Sequence, residues 1–286
     1  MLSEEEHVSA IAPARPDPLL AIFGQAKPLI GMVHLQPLPG APRYDGSGME
    51  PILRAAVADA QAWEGAGADG LIVENHGDIP FLKPEEVGPE TVAAMTAAAL
   101  AVRQAVHLPV GINCLANAAL QAIAIATAAG AAFVRVNEWA NAYVANEGLI
   151  EGPAARVLRY RAALRATTPI FADVHVKHGA HAIVADRPLA ELTRDAVFFD
   201  ADVLIATGQR TGDATPVEEV REMHEAAEGR PVLIGSGLTP ENAAAMLAVA
   251  DGAIAGSWAK VRGVWWGPVS LERAGRLVAA VRRARG

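Results

Sequence analysis

The residues from Ile170 to His178 alternate in a way that concentrates reactive side chains on one face of a strand. In an extended segment, Asp173, His175 and Lys177 point to one side, and the aliphatic residues between them point to the other. A carboxylate, an imidazole and an ammonium are costly in an ordinary core, because buried charges must be paired. Two interpretations account for such residues: a structural ion-pair network and an active-site strand. We favour the active-site strand.

Further polar residues follow other strand-like apolar runs in the chain. They are His34, Glu74, Asn113, Arg135 and Asn137. If the runs are parallel strands, their carboxyl ends meet at one mouth, where barrel enzymes carry their chemistry. We expect Glu74 or Asp173 to take a proton there and His175 to return it. Arg135 or Lys177 would stabilise the developing oxyanion, and a Schiff base on Lys177 is an alternative.

The turns after the last two predicted strands are rich in small residues. They contain Gly235, Ser236, Gly237, Gly256 and Ser257. Such residues let backbone N–H groups approach an anion, and a helix predicted to begin near Pro240 adds a favourable dipole. The alternative is that these glycines serve only the tight turns at the strand ends. We interpret the pair of turns as a phosphate-binding site, with Lys260 as a counter-charge.

A divalent metal is possible at this mouth but is not favoured by the sequence. The potential ligands are His34, Glu74, Asp173, His175 and His178. No HxH or HExxH spacing joins them, and Arg135 and Lys177 would oppose a cation. We therefore assign no metal ligand and leave the cofactor open.

Apolar strand-like runs alternate with helical runs eight times. The predicted strands are 29–34, 70–74, 110–113, 133–137, 170–177, 202–207, 232–235 and 252–256, and the helices are 49–66, 89–107, 115–129, 153–166, 188–199, 216–228, 240–249 and 270–284. Eight such units predict a (β/α)8 TIM barrel, an eight-stranded parallel barrel with outer helices. The alternative, a doubly wound sheet with a bound dinucleotide, usually carries GxGxxG after its first strand, where this chain has QPLPG at 36–40.

Composition limits the classes of protein further. The chain has 286 residues, 52% of them hydrophobic, with a net charge of −8 and one cysteine. We divide it into an N-terminal arm with a short helix, 1–26, and the barrel, 27–286. The charge argues against nucleic-acid binding, and no apolar run reaches the ~20 residues of a membrane span. The lone cysteine and the acidic N-terminus suit a cytoplasmic protein.

Aromatic residues occur in the predicted loops around the mouth. Trp139 and Tyr143 lie in the loop 138–152, and Trp265 and Trp266 follow the eighth strand. Exposed aromatic clusters are unusual on monomers. We therefore predict a homo-oligomer.

Several longer motifs resemble the BtpA/SgcQ family. They are PLIGMVHLQPLPG at 28–40, VENHGDIPF at 73–81, VGPETVAAM at 87–95, VRVN at 134–137, ADVHVKH at 172–178 and GSGLTPEN at 235–242. The resemblance covers about 27–284 and implies a TIM-like barrel. It also implies a role either in carbohydrate metabolism or, as the family name suggests, in photosystem I biogenesis.

These observations lead to two hypotheses of different classes. The first is an enzyme that isomerises, epimerises or cleaves a small phosphorylated sugar or related phosphometabolite by acid–base chemistry. The second is a non-catalytic assembly or stability factor for photosystem I.

Overall fold

A computed structural model describes residues 16–208 and 214–285. Residues 1–15 of the predicted N-terminal segment 1–26 therefore lie outside the described residues. Its short helix is present: α1 (Pro18–Phe23) begins after Asp17, whose carboxylate accepts a hydrogen bond from the Leu19 amide at 2.8 Å. An aspartate at this position satisfies a backbone donor that the first helical turn leaves unpaired.

Eight parallel strands close into a barrel, which confirms the predicted fold. They are β1 (Leu29–His34), β2 (Gly70–Glu74), β3 (Val110–Asn113), β4 (Phe133–Val136), β7 (Ile170–Asp173), β8 (Val203–Ala206), β9 (Val232–Ile234) and β10 (Ala253–Ala255). Pairing of Leu29 with Ala253 joins the first strand to the last. All eight carboxyl ends therefore open at the same mouth.

The remaining helices surround the barrel or connect its strands. They are α2 (Met49–Ala66), α3 (Pro89–Ala105), α4 (Ala119–Ala129), α5 (Ala154–Ala163), α6 (Leu189–Phe198), α7 (Val217–Ala226), α8 (Ala243–Leu247) and α9 (Leu271–Arg285). Their apolar faces pack on the outward side chains of the strands in one continuous core.

Large apolar side chains fill the lower part of the barrel interior. Phe133 and Phe171 stack with their ring centroids 4.3 Å apart, among Ile30, Ile72 and Leu233. Leu19 of α1 joins this cluster, so the short helix closes the amino-terminal end of the barrel. The interior is thus solid below and becomes polar only towards the mouth.

The strand predicted over 170–177 is half as long in the structure, and this prediction was wrong. Asp173 pairs with Ile205 of β8, and neither neighbouring strand pairs beyond it. The chain then turns, and Val176 packs instead on Tyr143 and Ile150. The apolar alternation extends past the end of the strand because Val174 and Val176 are both buried. They belong to two different clusters, so their spacing does not reflect one continuous strand.

Three other elements differ from the sequence prediction. The loop after β4 contains an antiparallel hairpin, β5 (Ala142–Ala145) and β6 (Gly148–Glu151). The helix predicted from 115 begins only at Ala119, because the amides of Asn75 and Asn117 tie the residues before it to neighbouring loops. The helix predicted over 240–249 is the five-residue α8.

Close packing against a glycine of β1 gives a test of the fold. Trp63 is fully buried, and its ring atoms lie 2.4–2.6 Å from where a Cβ on Gly31 would stand. Gly31→Ala is expected to lower the free energy of unfolding by about 1–3 kcal/mol through overpacking. Gly275 of α9 has open space around it, so Gly275→Ala should instead raise stability by about 0.5–1 kcal/mol. Urea unfolding of both variants checks this contrast, and equal effects would contradict it.

Candidate active site

A cavity of about 600 Å³ opens at the carboxyl ends of the strands. Its polar lining includes His34, Glu74, His76, Arg135, Asn137, Lys177, His178, Ser236, Ser257 and Arg273. The β5–β6 hairpin covers one side with Tyr143, Asn146 and Glu147, and Trp265 stands on another. The volume suits a small-molecule ligand.

One carboxylate in this cavity lies between two imidazoles. Oε1 of Glu74 is 2.8 Å from Nδ1 of His76 and 3.7 Å from Nε2 of His34. The two rings stack with centroids 4.7 Å apart. Glu74 is the last residue of β2 and pairs with His34 at the end of β1, so the barrel register itself sets this contact.

The protonation of the cluster follows from its contacts. Burial raises the pKa of Glu74, but the hydrogen bond from His76 and the neighbouring positive groups outweigh it and lower the pKa to about 2. Burial lowers the pKa of His34 to about 3, against the opposing effect of Glu74. Glu74 is therefore ionised and His34 neutral at physiological pH.

The tautomer of His34 is also fixed. Its Nδ1 lies 3.1 Å from the carbonyl oxygen of Trp265, which can only accept a hydrogen bond. Nδ1 therefore carries the proton, and Nε2 directs a lone pair towards Glu74.

A buried ion pair forms the floor of the cavity. Nε and Nη2 of Arg135 donate to the two oxygens of Asp173 at 3.0 and 2.9 Å. Asn137 donates to the same carboxylate, and Asn113 donates to Asn137 and to the Arg135 carbonyl. Bidentate pairing of this kind fixes the guanidinium plane.

The predicted residues on the 170–177 segment separate in the structure. Lys177 and His178 line the cavity, whereas Asp173 and His175 are absent from its described lining. His175 stacks on His181, with centroids 3.8 Å apart, and burial together with His181 lowers its pKa to about 4. The shared face disappears because the strand ends at Asp173.

The small-residue turns after β9 and β10 do form one wall of the cavity. The five predicted residues, Gly235, Ser236, Gly237, Gly256 and Ser257, all belong to the lining. Gly237 has a φ of +73°, which favours glycine, and a Cβ on Gly256 would lie 3.3 Å from Cε1 of His34. Close packing also explains the glycine at 235, because a Cβ added there would lie 2.5 Å from side-chain atoms of Ile205 and Thr207.

Lys260 does not serve this wall, which corrects the sequence interpretation. It is almost fully buried, and its ammonium lies 2.6 Å from Asp59 of α2. α8 is also too short to offer a substantial dipole. A different cation is present: Arg273 of α9 lines the cavity and donates through Nε to the Trp258 carbonyl at 2.6 Å.

Sequence reasoning missed His76 and Arg273. The spacing of Glu74 and His76, two residues apart at a strand end, was a usable signal, since such residues share a face. Arg273 lies on α9, the last helix, and nothing in the sequence there indicates that this residue reaches the cavity. In the described part of the chain, His34, Glu74 and His76 also form the group of potential metal ligands, instead of the set weighed from sequence.

The aromatic residues of the loops have different roles. Trp139 and Tyr143 are buried inside the subunit, and Trp266 is 70% exposed. The homo-oligomer stays a prediction, with Trp266 as its remaining aromatic support.

The residues 25–283 match the model of the BtpA family. The chain belongs to this family. A Synechocystis relative named photosystem I biogenesis protein BtpA is 39% identical over 86% of this chain and 84% of its own. Relatives called uncharacterized occur in Archaeoglobus fulgidus, at 44% identity over 90% and 99% of the chains, and in Pyrococcus furiosus, at 42% over 88% and 94%.

Solved structures confirm the fold of this family member. Phosphoribosyl anthranilate isomerase from Thermus thermophilus aligns with a TM-score of 0.54 and 16% identity over 90% of this chain and 98% of its own. A tryptophan synthase structure from M. tuberculosis gives a TM-score of 0.58 and 20% identity over 93% and 99%. Among the described residues, every helix is too short or too polar to cross a membrane.

The buried neutral His34 predicts a pH dependence of stability. An unfolded chain binds a proton at a pKa of about 6.5, whereas folded His34 does so at about 3. Between these values the unfolded state holds more protons, so stability falls as pH falls. His34→Asn is expected to reduce this slope by up to about 1.4 kcal/mol per pH unit.

Urea unfolding from pH 7 to 4.5 with EDTA measures the slope. His107→Asn, which changes an exposed ring, is the control. An unaltered slope in His34→Asn would contradict the burial argument.

Proposed function

We propose that this protein is an enzyme that acts on a small phosphorylated sugar or related phosphometabolite by acid–base chemistry, as an isomerase, an epimerase or a carbon–carbon lyase. The observation that carries the proposal is the placement of Glu74 beside the small-residue wall. A Cβ on Gly256 would touch His34, which itself stands beside Glu74. An anion on that wall therefore lies only a few atoms from an ionised carboxylate.

Phosphate binding is assigned to the wall formed by the two turns. Backbone N–H groups near Gly237 and Gly256 approach the anion closely, and Ser236 and Ser257 contribute hydroxyls. Arg273 is assigned the positive charge that Lys260 cannot supply, because Arg273 lines the cavity whereas Lys260 pairs with Asp59. The stacking of Arg273 on Trp258, with Cζ 4.5 Å from the ring centroid, holds the side chain in place.

Proton transfer is assigned to Glu74 instead of Asp173. Asp173 is neutralised by Arg135 below the cavity, whereas Glu74 lines it and is ionised. Abstraction of a proton beside a substrate carbonyl produces an enediolate, which needs a cationic neighbour. Arg135 meets this need, since Asp173 uses its Nε and Nη2 and leaves Nη1 for another acceptor.

A Schiff base on Lys177 is the alternative route at the same site. Lys177 lines the cavity, and a lysine imine would serve a lyase. Borohydride treatment with substrate separates the routes, because only the imine leaves a reduced covalent adduct.

Similar proteins give partial support to the enzymatic proposal. The fold neighbours include isomerases whose names specify a phosphoribosyl compound, although identities of 10–16% speak for fold alone. A relative at 38% identity comes from Caenorhabditis elegans, an animal, which builds no photosystem.

A photosystem I biogenesis role, suggested by the name of the Synechocystis relative, is the second candidate. This role predicts stable association with a protein partner, and substitutions in the cavity should leave the function unchanged. A cytoplasmic homo-oligomer stays part of the enzymatic proposal.

Solvent exchange provides a test that needs no knowledge of the final product. With a panel of phosphorylated aldoses and ketoses in D2O, we expect one substrate to exchange a carbon-bound proton, seen by NMR. Glu74→Gln should slow this exchange at least about 100-fold, because it removes the base. Glu138→Gln is a matched control: burial raises the pKa of Glu138 to about 9, so an uncharged amide resembles its natural state. Equal rates in both variants would refute the role of Glu74.

The phosphate assignment has a separate test on α9. Arg273 and Arg276 both lie over Trp258, at 4.5 and 5.4 Å from its ring centroid, but of the two only Arg273 is in the described cavity lining. Arg273→Met should weaken inorganic phosphate binding at least about tenfold, as expected for loss of a charge-assisted contact. Calorimetry should find Arg276→Met similar to the unmodified protein. Comparable losses in both variants would contradict the assignment.

A further inference from the structure

The cluster around Glu74 has the donor set of a transition-metal centre. One ligand atom from each of His34, Glu74 and His76 lies within 4.8 Å of the other two. A tetrahedral metal with bonds of about 2.0–2.2 Å holds its ligands about 3.4 Å apart, so small side-chain shifts suffice. We propose that these three residues bind one divalent first-row transition-metal ion, such as Zn²⁺ or Mn²⁺.

The hydrogen-bond pattern is what points to a cation. Nδ1 of His34 donates to the Trp265 carbonyl, which turns Nε2 towards Oε1 of Glu74, 3.7 Å away. This separation is too long for a hydrogen bond, so the two atoms lie side by side without a direct link. One ion bound to both atoms would join them at ordinary ligand spacing.

The surroundings of the cluster also match those of metal sites. A ligating histidine almost always donates its second ring nitrogen to a carbonyl or carboxylate, as His34 does to the Trp265 carbonyl. The ring of His76 is held between Trp265 and Phe81, with centroid distances of 4.4 and 6.1 Å. These contacts restrain both imidazoles before an ion arrives.

Nearby cations do not exclude a metal here. Arg135 already pairs through two nitrogens with Asp173, and Lys260 pairs with Asp59, so each cation has its own carboxylate. The cluster itself contributes one negative charge through Glu74. Two histidines and one carboxylate are a common set for catalytic zinc and for non-haem iron, and they leave positions open towards the cavity.

The use of such an ion in catalysis rests on the proposed function, whereas its binding does not. An ion at this place would polarise a substrate carbonyl beside Glu74. A carboxylate has two oxygens, so Glu74 can hold the ion with Oε1 and keep Oε2 for proton transfer. Metal binding is therefore tested without substrate, and its failure leaves the exchange test of the proposed function intact.

The test compares two histidine–carboxylate pairs in the same chain. Protein stripped with EDTA is titrated with Zn²⁺ and with Mn²⁺ by calorimetry, and its metal content is measured after gel filtration. We expect one equivalent of at least one of the two ions in the unmodified protein and at least a tenfold weaker Kd in His76→Ala. His224→Ala alters a partly exposed pair with Asp251, 3.2 Å apart, and should retain the ion. No bound metal, or the same affinity in His76→Ala as in His224→Ala, overturns the proposal.

A second measurement tests the proposal without any variant, in case His76→Ala does not fold. Crystals of the unmodified protein soaked in Zn²⁺ or Mn²⁺ are expected to show an anomalous peak about 2.0–2.2 Å from His34, Glu74 and His76. A peak elsewhere, or none, overturns the proposal as well.

Discussion

The bidentate pair between Arg135 and Asp173 is the interaction on which the mouth of this barrel depends. Both side chains are almost completely buried, above the stacked rings of Phe133 and Phe171. Removing one partner of such a pair costs about 3–5 kcal/mol, because it strands the other charge. The pair divides the barrel interior into an apolar core below and a polar cavity above. The pair also engages the carboxylate of Asp173, on the fifth barrel strand, so that Glu74, on the second, is the carboxylate that faces the cavity.

This division explains why Glu74 is the carboxylate suited to chemistry. His76 and His34 flank it, and the hydrogen bond from His76 together with the charge of Arg135 keeps it ionised despite its burial. The small-residue wall adjoins His34, where a Cβ on Gly256 would lie 3.3 Å from Cε1 of the ring. His34, Glu74 and the small-residue wall thus share one cavity because β1, β2 and β10 are neighbours in the closed barrel.

The fold was predictable from sequence, because eight repeats of the strand–helix pattern permit few arrangements. The site was predictable only in part. Apolar alternation past Asp173 suggested a longer strand, since burial of Val176 under the hairpin leaves the same pattern as burial in the barrel. Lys260 looked like an anion partner, but Asp59, distant in sequence, binds it. His76 was within reach of a spacing argument, whereas the position of Arg273 depends on how the last helix packs.

The central claim is that one cavity holds a phosphate group next to Glu74. The most direct measurement is the electron density of a crystal grown or soaked with inorganic phosphate. An anion is expected between the turns after β9 and β10, touching the backbone N–H groups of 236–237 and 256–257 and the guanidinium of Arg273. Phosphate bound elsewhere, or a cavity without an anion at a concentration that saturates binding in solution, would contradict it.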